Sequence, residues 1–296
     1  MSLVVVGSIG LDSIQTPAGK VNEALGGSSV YASIASSYFT STHIVGVVGD
    51  DFPPRDFELL RRHKINLEGL ETFPGKTFRW SGIYEDWNHA TTISTDLNVF
   101  ADFSPKLPQS CKCCRSLLLG NIHPALQLEV LDSIQSYDWV ACDTMNYWIS
   151  GWRDQLTEVI KRVDIMFVNE EEIRQYTAHD NIFSAASAIL DLGVKLVVIK
   201  RGEYGSVAVL KDDIFFAPAY PVREVQDPTG AGDCFAGGFM GYLATQEKLS
   251  DLSIRNAIRR GTVMAALNVE AFGVHGIIDR EPGTIDSRVK QLEQWT

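Results

Sequence analysis

Two aspartates bracket a run of small residues in Asp227-Pro228-Thr229-Gly230-Ala231-Gly232-Asp233. Pro228 biases Asp227 towards an extended backbone, Thr229 suits a helix N-cap, and Gly230, Ala231 and Gly232 then make the first helical turn. The N–H groups of that turn have no partners inside the helix and no side chains to shield them, so the positive end of the helix offers a seat for an anion. A carboxylate beside an anion seat works against simple binding. It suits phosphoryl transfer, in which fixed N–H donors hold the developing charge and an aspartate accepts the proton of the attacking hydroxyl. Asp233 is therefore the candidate base, and Gly230, Ala231 and Gly232 the candidate anion hole. The helix end is expected to keep Asp233 ionised. The competing reading is a Thr-capped core helix with no ligand.

The residues that follow place Cys234, Gly238 and Gly241 in a stripe of small side chains, with Phe235, Phe239 and Tyr242 in a bulky one. Each glycine costs the helix about 0.5–1 kcal/mol against alanine, so that face has to be closely approached by other backbone.

The stretch 227–233 resembles the C-terminal signature of the ribokinase-type (PfkB) family of carbohydrate and nucleoside kinases, and the resemblance runs over most of the chain. It implies an α/β fold, a three-layer α/β/α sandwich with a largely parallel central sheet and a small β-sheet lid. It also implies transfer of the γ-phosphoryl group of ATP to a hydroxymethyl group, with Mg²⁺ and, in some members, a monovalent cation such as K⁺. Asp12 then takes the place of an acceptor-binding aspartate, and Gly26 and Gly27 that of an N-terminal Gly-Gly signature. Tyr31 stands where the family usually has Asn. Asn169 and Glu172 match an Asn-x-x-Glu motif that helps hold Mg²⁺ and phosphate through water; as bare chemistry the same residues make a helix cap with acids in its first turn. Lys200, where many members carry Thr, precedes the Gly202 to Gly205 turn that lies under the nucleotide. Thr229 falls on the nucleotide side, and Gly273 in the loop that builds part of the adenine pocket.

The elements that must hold these residues follow from periodicity. Strand-like runs at 2–9 and 43–48 precede a helix expected over 57–70, whose basic residues Arg61, Arg62 and Lys64 read as a solvated face. Residues 77–84 alternate, with Phe78, Trp80 and Tyr84 on one side and Arg79 on the other, and 93–99 alternate again, so the two form a hairpin. Arg79 reads either as a cation reaching the phosphoryl group or as a surface charge. From 117 onward short apolar runs at 117–119, 139–142, 165–168 and 196–199 are separated by helical stretches at 127–136, 155–163 and 184–192. That rhythm calls for a parallel sheet whose ligands gather at the carboxyl ends of the strands. Residues 1–296 are expected to form one kinase domain, with lid segments at about 11–24 and 72–104.

A net charge of −11 argues against nucleic-acid and anionic-membrane partners. No apolar run is long enough to span a bilayer, the first residues lack a basic region, and five cysteines suit a reducing compartment, so a cytoplasmic protein is expected. Cys111, Cys113 and Cys114 crowd together without zinc-site spacing and read as a surface loop. Neither a P-loop nor a dinucleotide fingerprint is present. The leading expectation is a sugar kinase, with a nucleoside kinase as alternative because Tyr31 and the lid aromatics could stack on a base. A silent sugar- or nucleotide-binding regulator is the reading from another class. The exposed lid strands are also expected to pair two subunits.

Overall fold

A computed structural model describes residues 2–134 and 136–295. Gln135, inside the helix expected over 127–136, and the side chain of Cys113 lie outside what is described. The chain opens with β1 (Ser2–Val6), whose apolar residues Leu3 to Val6 are fully buried, as a strand covered on both faces requires. A hairpin of β2 (Gly10–Thr16) and β3 (Gly19–Gly26) follows, then α1 (Ser28–Ser37), β4 (Ser41–Gly49), α2 (Pro54–Arg62) and β5 (Asn66–Phe73). The helix expected over 57–70 is therefore half helix and half strand. Lys64 takes a positive φ of 57°, which ends the helix, and β5 then pairs with β4 in parallel.

A second hairpin, β6 (Phe78–Tyr84) and β7 (Ala90–Asp96), leads through two short 3₁₀ turns to β8 (Ser116–Leu119). Alternation follows: α3 (Pro124–Ser133), β9 (Trp139–Cys142), α4 (Asn146–Gly151), α5 (Arg153–Ile160), β10 (Ile165–Asn169), α6 (Glu170–Thr177), α7 (Ile182–Leu190) and β11 (Leu196–Lys200). The antiparallel β12 (Ser206–Val209) and β13 (Ile214–Ala217) complete the main sheet. Helices α8 (Ala231–Leu243), α9 (Asp251–Asn268) and α10 (Pro282–Trp295) close the chain.

The described strands form a nine-stranded sheet in the order β13-β12-β11-β10-β9-β8-β1-β4-β5 and a four-stranded sheet in the order β3-β2-β6-β7. Strand β2 runs parallel to β6, so the small sheet joins segments more than sixty residues apart, Gly10 opposite Phe78 and Asp12 opposite Trp80. One core lies between the main sheet and α3, α5, α6 and α7, and a second beneath α8 and α9. A third sits under the small sheet among α1, α9 and α10.

The glycines of α8 serve two helix contacts. A side chain on Gly237 would strike the carbonyl of Ala32 in α1 at 2.3 Å, and one on Gly238 would lie 3.0 Å from the carbonyl of Arg260 in α9. The cysteine cluster is no surface loop, because Cys111 and Cys114 are buried. A single 3₁₀ turn over Gln109–Cys113 points both thiols inward, where they contact each other. Among the described residues, no group of three or more metal-ligating side chains is present.

Candidate active site

Helix α8 begins with Gly230 as its cap, in a left-handed conformation at φ 76° that only glycine adopts without strain. Thr229 is one residue too early to be the N-cap expected of it. Its hydroxyl instead donates to the phenol oxygen of Tyr84 at 3.2 Å, and its carbonyl accepts from Asn268 Nδ2 at 2.7 Å. The turn is only partly bare. Ala231 N–H donates to the Pro228 carbonyl at 3.1 Å, and Asp233 N–H to its own carboxylate, whereas Gly232 N–H meets no protein acceptor among the described residues. Asp227 is fully buried and accepts from Thr229 N–H at 2.9 Å and from Gly273 N–H at 2.8 Å. Gly273, at φ 57°, thus braces the loop before α8, with its Cα against Ala24.

Two groups of side chains converge on this turn. The first comes from the N-terminal third. Asp12 is buried with a carboxylate oxygen pressed against Gly26, where a side chain would overlap it, and it accepts from Gly27 N–H. Burial and the negative charge of Asp227, with a smaller contribution from Asp233, push Asp12 up to about 7. The ring of Tyr31 lies directly on Gly230, where a side chain would come within 2.4–2.5 Å of it, and its buried hydroxyl has no hydrogen-bond partner. Burial and the charges of Asp12 and Asp227 hold that phenol well above its usual range. Burial likewise moves Tyr84 up to about 12, with Asp227, Asp12 and Asp233 adding to it. Three carboxylates and two phenols therefore share one cleft.

The second group comes from the ends of β9, β10 and β11. Lys200, on the last residue of β11, donates to Asp143 Oδ2 at 2.7 Å just beyond β9. Its ammonium also lies over the start of α8, 3.1 Å from where a Gly232 side chain would begin. Burial pulls the Lys200 pKa down, yet Asp143, Glu172 and Asp233 outweigh it and hold the group charged. Burial raises Asp233 to about 7, and Asp143 adds to this against the opposing charge of Lys200. The helix end therefore does not keep Asp233 as acidic as expected; desolvation and a neighbouring carboxylate win.

Asn169 and Glu172 form a reciprocal capping box at the start of α6, with Asn169 N–H donating to Glu172 Oε2 and Glu172 N–H to Asn169 Oδ1, both at 2.7 Å. Glu172 nevertheless belongs to the charged cluster: burial lifts it to about 7, Lys200 opposes this and Asp143 reinforces it. A Mg²⁺ ion carried on nucleotide phosphates asks for one or two protein carboxylates and keeps waters. Glu172, with Asp143 beside it, fits that demand.

The turn from Gly202 to Gly205 is a single 3₁₀ turn, closed by Arg201 N–H donating to the Gly205 carbonyl at 2.8 Å. Gly202 faces Asn88 at the tip of the β6–β7 hairpin, 3.0 Å from where a side chain would begin. Arg79 does not reach this cleft. Its guanidinium is taken up by Glu23 at 2.9 Å, Asp51 at 2.8 Å and the Thr77 carbonyl at 3.0 Å, which satisfies the donors that would have met a phosphate. Asp143 and Tyr84 were not singled out in sequence. The first shows only as one of several polar residues at strand ends, and the second only as one aromatic of an alternating strand.

Residues 2–279 match the family model described as pfkB family carbohydrate kinase. The chain is 31% identical over 252 residues to the cytidine kinase of Thermococcus kodakarensis, covering 82% of this chain and 88% of that protein. It is 26% identical over 285 residues to the nucleoside kinase of Methanothermobacter thermautotrophicus, covering 91% and 85%. Among solved structures it resembles the nucleoside kinase of Methanocaldococcus jannaschii, with a TM-score of 0.80 at 18% identity over 98% of each chain. The nucleoside kinase of Burkholderia thailandensis in complex with inosine gives a TM-score of 0.78 at 18% identity, again over 98% of each chain. The chain belongs to the pfkB family of carbohydrate kinases and is an ATP-dependent kinase of a sugar or nucleoside.

Proposed function

We propose that this kinase phosphorylates the hydroxymethyl group of a nucleoside, with Asp233 as the base. The observation that carries the choice of nucleoside over free sugar is the setting of Trp80. Strand register puts it on the same face of the small sheet as Asp12, its neighbour across the β2–β6 pair. Its indole lies flat across Gly82, where a side chain would come within 2.1 Å of the ring, and its N–H donates to Thr92 at 3.2 Å. A fixed aromatic plane beside a carboxylate suits a base and a ribose held together, and a free pentose has no use for the plane.

Asp12 accepts hydrogen bonds from the ribose hydroxyls, with Gly26 and Gly27 leaving it room. Asp233 takes the proton of the attacking hydroxyl; that oxygen bonds to the γ-phosphorus, and the bond to the β-bridging oxygen breaks to release ADP. Gly232 N–H and the positive end of α8 receive the charge that spreads over the phosphoryl oxygens, with Gly230 and Ala231 shaping the turn. Glu172, oriented by Asn169, is the residue to hold Mg²⁺ through water, and the ion supplies charge neutralisation on the phosphates when bound. Lys200, Gly202, Gly205 and Thr229 line the nucleotide side. The small sheet acts as the lid of the single kinase domain, and its hairpin tip reaches Gly202 from above. Gly273 supports the nucleotide loop, and a monovalent cation such as K⁺ would bind nearby.

The strand β7 is exposed along its length and unpaired on one edge, with Ile93 and Leu97 uncovered; this supports a homodimer through the lid strands. Free buried cysteines support a cytoplasmic setting, and among the described residues no helix is long and apolar enough to cross a membrane.

Assaying phosphate transfer from Mg-ATP to a panel of pentoses, hexoses and nucleosides tests the proposal. Nucleosides should be preferred by kcat/KM. Preference for a free sugar, with no transfer to any nucleoside, overturns the choice of acceptor.

A further inference from the structure

The position of Lys200 poses an electrostatic problem. An ammonium group sits at the start of α8, where the helix end is itself positive, and like charges at a helix N-terminus oppose each other. Asp143 relieves this with a hydrogen bond of 2.7 Å, at the cost of placing a buried carboxylate beside the seat intended for phosphate. Glu172 and Asp233 crowd the same volume with negative charge. In this arrangement Lys200 and the unfilled Gly232 N–H both point donors at one place, and only an anion between them satisfies both.

We propose that Lys200 and Asp143 form an exchangeable clamp for the terminal phosphate of the nucleotide: Asp143 holds the ammonium in the free enzyme, and the phosphate displaces Asp143 when the triphosphate binds. The inference rests on the phosphoryl-transfer reading above and goes beyond it by assigning Asp143, which competes with the substrate rather than assisting it. Gly232 is part of the device, because any side chain there would meet the ammonium at 3.1 Å. Lys200 is the residue that contacts phosphate; Asp143 is a positioning residue that acts through it.

The two residues carry opposite expectations, which a merely structural salt bridge would not produce. Binding of ATP and of ADP, each alone, is measured by calorimetry for the parent and for K200M, D143N and K200M/D143N, with Mg²⁺ and in EDTA. Loss of a charge-assisted contact to phosphate should weaken ATP binding to K200M by roughly 10- to 100-fold, and ADP binding by much less, because ADP lacks the clamped group. D143N keeps the shape and removes the competitor, so it should bind ATP several-fold more tightly than the parent. K200M leaves Asp143 buried and uncompensated, and the double variant removes both charges, so its folding is the safer case; it should show the same loss of discrimination between ATP and ADP. Equal weakening of ATP and ADP in the Lys200 variants, or weaker ATP binding by D143N, overturns the clamp. Transfer by the parent to the acceptor panel is scored separately: its failure removes the kinase reading of the acceptor side and leaves the ATP and ADP comparison to judge the clamp.

Discussion

The hydroxyl of Thr229 donates to the phenol of Tyr84 at 3.2 Å, joining the small sheet to the loop that opens α8. The lid is therefore fastened at the point where phosphate transfer is proposed. Replacing Tyr84 with Phe keeps the ring and removes that bond, together with a hydroxyl facing Asp12, Asp227 and Asp233. Steady-state kinetics on Tyr84→Phe should show KM for the acceptor raised by about 3- to 10-fold, with kcat changed less. An unchanged KM would place the lid's closure elsewhere.

Asp233→Asn should abolish most turnover, by roughly 10²–10⁴-fold, and leave ATP binding intact or stronger, since one negative charge leaves the phosphate pocket. Single-turnover transfer and calorimetry read the two effects independently. Parent-like turnover in this variant would remove Asp233 from the role of base.

The pH dependence has a definite sign. Asp233 must be unprotonated to act, and burial with the charge of Asp143 sets it at about 7, so kcat/KM should rise with pH and level off above that value. The same shift weakens the folded chain as pH rises. The native carboxyl, raised above its ordinary 3.8, keeps a proton that the unfolded chain releases between about pH 4 and 7, so stability falls across that window. Asp233→Asn should therefore be more stable than the parent at pH 8, by roughly 1–3 kcal/mol after allowing for the partial exposure of the side chain. At pH 4 the difference should vanish. Urea unfolding at both pH values checks this.

Gly230→Ala should be among the most damaging single-methyl additions to the chain. The residue sits at φ 76°, and its new Cβ would press into the ring of Tyr31. Strain and overlap together should cost about 2–4 kcal/mol in unfolding free energy, with activity lost as the turn shifts. A variant of parent-like stability would mean that Tyr31 moves freely, against its complete burial.

Trp80→Ala tests the acceptor most directly. If the indole carries a base, KM for a nucleoside should rise about 10-fold or more, whereas KM for a free pentose should barely move. Comparable changes for both acceptors would make the ring a support for the lid alone.

Much of the fold could be read because local and global signals agree. The strand at 139–142 and the apolar runs at 165–168 and 196–199 are short, bounded and fully buried, so periodicity alone places them within a residue or two. The helix expected over 57–70 failed because Asn66–Phe73 owes its strand conformation to pairing with β4, a long-range term invisible in its own residues. The signature at 227–233 was legible down to its aspartates. Its cap was not, because the left-handed Gly230 is imposed by the ring of Tyr31, about two hundred positions earlier in the chain. Arg79 misled for the same reason: Glu23 and Asp51 claim it, and neither lies near it in sequence. Asp143 could be noticed only as a polar residue after a strand, since its meaning comes from Lys200 arriving from two strands away.

Strand β1 lies in the interior of the main sheet with β4 on one side and β8 on the other, while Thr16 donates to the carbonyl of Gln226 at 2.8 Å and Tyr38 to that of Ile277 at 2.6 Å. Segments made first during synthesis must wait for those made last. Nascent chains that have not yet emerged past the third glycine-bearing helix contact of α8 hold an acceptor cradle with no engine, and the enzyme becomes competent only once its tail has folded back onto its head.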